Sequence, residues 1–423
     1  MTVESSKRNL TKYLGIYCLL SMVSIFVLLV QASYLNLDPL HNLLWSSSDL
    51  PGIGITKIPL SFGNHFFGDF LHVITAGTRP LGDTPYYPYL PASLIVGKIF
   101  SIFSYRVAVV IYFLLFFTLF LSPLRQTDKA LAFPERVLLY FFVFFNIGTL
   151  YLFDRGNIQL VVSACISMYF YCLMTLRYRL AAVFLGVAVA IKLWPVLLIF
   201  PFIRWKKYRS VLLSLVTALS LNLIPLLFFS TDRMSRWSYL KSQFLQIISF
   251  GSINSGLWHA GGKNSSIAAF YYFCTSVLKI DILFPLLLKY FVVTQIALTA
   301  LLIYALLKKQ LSTGEQLIVI SVFLLIIPSA QYGYSLSILF PAILYKMWEI
   351  FFSKDEYSRT IDYKYLLLIL SCLPISYVLA IKQPSQWIID VNTLLTPLLL
   401  TVSFFGIALT KKVPNFRGKL NKK

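Results

Sequence analysis

Five short polar clusters interrupt an otherwise oily sequence, and their residue types suit chemistry on a sugar linked through phosphate. Gly68-Asp69-Phe70 supplies a carboxylate and is followed by Thr84-Pro85-Tyr86-Tyr87-Pro88-Tyr89. Asp154-Arg155-Gly156-Asn157 sets a guanidinium beside an amide. Lys192 stands with Trp194-Pro195, and Lys263-Asn264-Ser265-Ser266 and Ser329-Ala330-Gln331-Tyr332-Gly333-Tyr334 complete the set. Arg grips phosphate oxygens in pairs, whereas Lys acts as a compact charge. A carboxylate can take the proton of an attacking hydroxyl. Tyr86, Tyr87, Trp194 and Trp258 offer flat faces for a sugar ring or a lipid interface.

Each cluster also has an ordinary reading. An Asp in a wet loop is usually only solvated. Asp154 suits the cap of a helix starting near Asn157, with Gly156 supplying the turn, and Arg155 suits a cation snorkelling to headgroups. Lys192 resists such a reading, because a Lys inside an apolar run costs roughly 2.5–3.5 kcal/mol on insertion scales and normally marks a cavity or an ion pair. The clusters carry meaning together: two cations, a base and several amides. Asp49, Asp83 and Asp154 rival Asp69 as base, and Asp38 sits close to the end of the first helix. The five cysteines lie in or beside apolar runs without metal-like spacing, and no His/Cys/carboxylate cluster argues for a metal.

The elements that must hold these residues are membrane helices. Of 423 residues, 58% are hydrophobic and 13% charged, more apolar surface than a soluble chain of this size can hide. Roughly 20 apolar residues span a bilayer core as a helix. Runs at 13–34, 105–124, 135–153, 157–176, 180–192, 194–203, 210–229, 283–307, 316–327, 335–352, 363–380 and 391–410 predict an all-α polytopic bundle of about twelve spans. The first run is too long for a signal-peptide core and reads as a retained helix.

A net charge of +21 would raise nucleic acid as a partner in a soluble protein; here loop charge explains it. With both termini inside, the inner segments hold 24 of the 37 Lys and Arg. That pattern follows the positive-inside rule and puts all five polar clusters on the outer side. Segments 180–192 and 194–203 read either as one kinked span with Lys192 and Pro195 near its middle or, better, as a hairpin with its apex at Lys192–Trp194, which keeps the flanking basic clusters inside. Thirteen residues reach only about 20 Å, so the apex lies at membrane depth, where protein or a wet cavity must surround it. Segments 91–103 and 265–278 read as interfacial or re-entrant helices. Residues 1–410 form one membrane domain, with outer loops 35–88 and 230–264 carrying the site; residues 411–423 form a basic cytoplasmic tail.

The order of motifs resembles glycosyltransferase family 87, a family of membrane-embedded mannosyltransferase-like enzymes of the GT-C superfamily. Asp154-Arg155-Gly156-Asn157, Leu185-Gly186, Lys192-Leu193-Trp194-Pro195 and Arg204-Trp205-Lys206-Lys207 carry the likeness, with Asp69, Tyr87-Pro88 and Asn264-x-Ser266 in matching order over roughly residues 65–345. The resemblance implies a GT-C-like fold and transfer of a hexose, mannose for choice, from a polyprenyl-phosphate sugar to a glycolipid or glycan hydroxyl at the outer face of the plasma membrane. It implies Asp69 as base. Arg155 and Lys192 would bind the donor phosphate. Asn157, Asn264, Gln331, Tyr332, Tyr87 and Trp194 would contact substrate, with no metal and no nucleic acid. Where the family often carries His, near 329–334, this chain has Gln331 and Tyr332. A flippase or transporter for a lipid-linked sugar and a glycan polymerase or ligase are the competing classes, the first disfavoured by two long outer loops beside short inner ones.

Overall fold

The computed structural model describes residues 3–34, 68–81, 89–231, 235–250, 284–307, 311–327, 333–352, 362–373, 378–382 and 387–409. The described chain is helical apart from one short hairpin. Four of its helices, Glu4–Val27, Tyr105–Thr127, Tyr208–Phe228 and Ser335–Phe352, are long and apolar enough to cross a membrane.

The opening helix α1 (Val3–Tyr34) is followed by two short helices, α2 (Gly68–Thr78) and α3 (Ala92–Phe100), and then by α4 (Tyr105–Phe120). The α2 segment departs from the expected loop: Asp69 lies in its first turn, where the helix's free N–H groups favour negative charge. Glycine lets α2 and α3 touch. A Cβ on Gly97 would run into the Val73 carbonyl, and one on Gly77 into the Gly97 backbone.

The run expected at 135–153 is two helices, α5 (Phe133–Phe144) and α6 (Ile147–Arg155). Buried Asn146 makes the break. Its amide donates to the Phe142 and Val143 carbonyls, closing α5, while its oxygen accepts from the Thr149 N–H and opens α6. Gly156 then ends α6 with φ 57°, the left-handed conformation that favours glycine.

Helix α7 (Gln159–Met174) packs against α8 (Tyr178–Ile191), which leads into a 3-10 turn at Trp194–Ile199, the short α9 (Phe200–Arg204) and α10 (Tyr208–Phe228). The hairpin is present. Trp205 meets Tyr178 edge-on at 5.7 Å between ring centroids, and the Lys207 amine lies 4.9 Å from the same ring. Both ends of the excursion therefore meet, which puts Lys192 at its apex.

Beyond lie α11 (Arg236–Phe250), α12 (Phe284–Leu307), α13 (Thr313–Ile326), a 3-10 turn at Gly333–Ile338, α14 (Leu339–Phe352) and α15 (Tyr363–Leu370). The expected span at 363–380 is not a single helix. Helix α15 stops at Leu370, and antiparallel strands β1 (Val378–Lys382) and β2 (Trp387–Asp390) precede α16 (Val391–Ala408). β-Branched residues at 378, 381, 388 and 389 suit extended backbone. The core runs through α7, α13 and α14, whose side chains are almost wholly buried, and takes in the second half of α8. Segment 265–278 lies outside the described residues.

Candidate active site

Asp69, Tyr89, Asn157, Gln159 and Lys192 meet in one hydrogen-bonded cluster, although they come from four separate stretches of chain. Packing beneath them makes this possible. Phe70, beside Asp69, is fully buried against Tyr112 at 4.1 Å and Phe100 at 5.5 Å between ring centroids, which seats α2 on α3 and α4. The same Tyr112 donates its hydroxyl to the Asn157 carbonyl at 2.9 Å. One tyrosine thus supports both the carboxylate helix and the α6–α7 junction.

Asn157 is the hub. Its Nδ2 donates to Asp69 Oδ2 at 2.7 Å and to the Tyr89 hydroxyl at 3.1 Å, while its Oδ1 accepts from the Gln159 N–H at 2.8 Å. Both amide hydrogens are committed to the protein, to Asp69 and to Tyr89. Asn157 supports the head of α7 through its bond from the Gln159 N–H, and the left-handed Gly156 carries Asn157 round to face that helix.

Lys192 enters from the hairpin apex. Its Nζ donates to Gln159 Oε1 at 2.9 Å and lies 5.6 Å from the Tyr89 ring centre, within reach of a cation–π contact. An extended backbone at Lys192 (φ −138°, ψ 130°) ends α8 and projects the side chain from its tip. Asn222 of α10 braces that tip: it donates to the Ala190 carbonyl and accepts from the Ala92 N–H. Gln159 continues the network by donating to Ser163 Oγ, which lies 2.6 Å from Ser337 Oγ in the turn before α14. Gly148 admits this turn, since a Cβ there would fall 2.6 Å from the Ser337 nitrogen.

Asp69, Asn157 and Lys192 are therefore brought together. Trp194, two residues past Lys192, is partly buried against the core. Arg155 ends α6 beside the hub, with its side chain outside the described residues, and Tyr87, Asn264, Gln331 and Tyr332 lie outside them altogether. Tyr89 and Gln159 are the residues that sequence reasoning passed over. Gln159 carries a signal in hindsight, as a long polar side chain four residues before Ser163 on an otherwise apolar helix. Tyr89 merges into an aromatic run and carries none.

The sequence model of glycosyltransferase family 87 matches residues 87–328, more than half of the chain. The chain belongs to glycosyltransferase family 87. The matched stretch includes Tyr89, Asn157, Gln159 and Lys192; Asp69 precedes it and Ser337 follows it. No curated protein and no solved structure matches. As a family 87 member with several long apolar helices, the protein is a membrane glycosyltransferase.

Proposed function

We propose that this glycosyltransferase moves a hexose, mannose in the first instance, from a polyprenyl-phosphate sugar to a hydroxyl of a glycolipid or glycan, at the outer face of the plasma membrane. The observation that supports this most is a carboxylate and an ammonium held in one network by a shared pair of residues, Asn157 and Tyr89.

Asp69 takes the acceptor's proton as its oxygen bonds to the anomeric carbon. The bond from that carbon to the phosphate oxygen breaks on the opposite side, inverting the centre, and polyprenyl phosphate departs as an anion. It needs no proton from a strong acid; it needs positive charge, which Lys192 supplies together with Arg155. Asn157 holds the base, and Gln159 and Tyr89 hold the ammonium. The proposed step uses no metal. Asn264, Gln331, Tyr332, Tyr87 and Trp194 form the substrate-binding surround, in a GT-C-like bundle of about twelve spans with both termini cytoplasmic.

The test is Asp69→Asn in purified, reconstituted protein, assayed for transfer from a polyprenyl-phosphate hexose. Asn preserves the shape and can still accept from Asn157. Turnover should fall by roughly 10²–10⁴-fold, the usual contribution of a positioned base. Wild-type turnover removes Asp69 from the role.

A further inference from the structure

Helix α11 carries a face that water does not suit. Tyr239 and Gln243 are buried on one side, while on the other Trp237 is 76% exposed, Phe244 63% and Leu245 55%. Positions 237, 241 and 244 follow the spacing of one helical stripe, so exposed Lys241 lies between the two aromatic rings. Arg236 is exposed at the start of the helix. Among the side chains described on α11 there is no carboxylate.

The surroundings say what covers this face. Helix α10 turns a stripe of exposed apolar residues outward, Leu212, Val216, Leu219, Leu223 and Leu227, ending at Phe228, and lipid is the medium for such a stripe on a spanning helix. Arg236 donates to the Leu227 carbonyl at 3.5 Å, which ties the head of α11 to the last turn of α10. The exposed rings of α11 therefore continue the lipid-facing belt where α10 leaves the membrane. That exit is on the site's side, because Asn222, one to two turns earlier, bonds to Ala190 beside the Lys192 apex.

We propose that α11 lies in the plane of the membrane surface and docks on anionic lipid, with Trp237, Phe244 and Leu245 among the acyl chains and Arg236 and Lys241 on headgroup phosphates. Aromatic and aliphatic side chains among acyl chains, with long cationic side chains that snorkel from beside them to the phosphates, suit a helix lying at such a surface.

The full-length protein in nanodiscs provides the test. Tryptophan emission is quenched with acyl-brominated lipid and, separately, with aqueous iodide, for the wild type and Trp237→Phe. The emission missing from the variant should be the component that brominated lipid quenches and iodide spares; the reverse pattern overturns the proposal. A second measurement does not depend on that variant folding. Protein extracted from mixed nanodiscs should retain phosphatidylglycerol over phosphatidylcholine, and Arg236→Gln and Lys241→Gln should each lower that preference about fivefold. Unchanged retention in the double variant sinks the headgroup contact. Neither measurement reads turnover, so either can fail while sugar transfer from a lipid donor stands.

Discussion

The amide of Asn157 donates to the carboxylate of Asp69 at 2.7 Å, joining residues 88 positions apart in the chain. A carboxylate held by an amide keeps one orientation, and here the same amide holds the tyrosine whose ring lies beside Lys192. The Asp69 carboxylate and the Lys192 ammonium are thus linked through a single side chain.

Replacing Asn157 by Asp tests that arrangement through pH. A second carboxylate beside Asp69 disfavours ionisation of either, so the base needs a higher pH to lose its proton. The acid limb of the rate profile should move up by on the order of one pH unit, with activity recovering as pH rises. Asn157→Ala, which adds no charge, should lower the rate without that recovery and destabilise by about 1 kcal/mol through loss of the α7 head contact. A pH–rate profile for both variants distinguishes them.

Lys192→Met should cost on the order of 10²–10³-fold in kcat, the loss usual for one charge-stabilising group. Tyr89→Phe keeps the ring beside the ammonium and loses the neutral hydrogen bond from Asn157, a loss of about 0.5–1.5 kcal/mol. Tyr89→Leu removes the ring as well and should cost more. In the Lys192→Met background the excess cost of Leu over Phe should vanish, as a double-mutant cycle would show.

Gly97→Ala should destabilise by roughly 1–3 kcal/mol and slow transfer, because the new methyl must push α2, and with it Asp69, away from α3. Gly15→Ala is the control. Nothing lies within 4 Å of a Cβ there, and alanine favours the helix. Thermal unfolding and kcat measured side by side should separate the two.

At a distance from the site, Lys346 is 1% exposed and lies 3.3 Å from Glu349 and 3.8 Å from Glu315. Ser312 and the Gly314 N–H also bond Glu349, which ties the α13 start to α14. Lys346→Met takes its cation from the buried Glu349 and the half-buried Glu315 and should cost about 3–5 kcal/mol. Lys346→Met with Glu349→Leu should recover much of it. Denaturation in detergent checks both.

The sequence by itself determined that this chain belongs in a bilayer, because apolar runs of spanning length admit no other solvent. Charge at the ends of 180–192 and 194–203 was enough to argue a reversal at Lys192, since basic clusters resist crossing. Lys192 stood out because an ionised group inside an oily run carries a cost that needs a reason, whereas Asp69 stood out through the family resemblance. Tertiary structure alone decided which groups meet. Asp69 lies on a helix rather than a loop because Phe70 finds a buried seat against Tyr112. Asn157 turns inward because Gly156 reverses the chain ahead of it. Gln159 and Tyr89 became site residues only through neighbours far away in sequence, since hydrogen-bond partners are chosen by distance in space and local pattern holds no record of them.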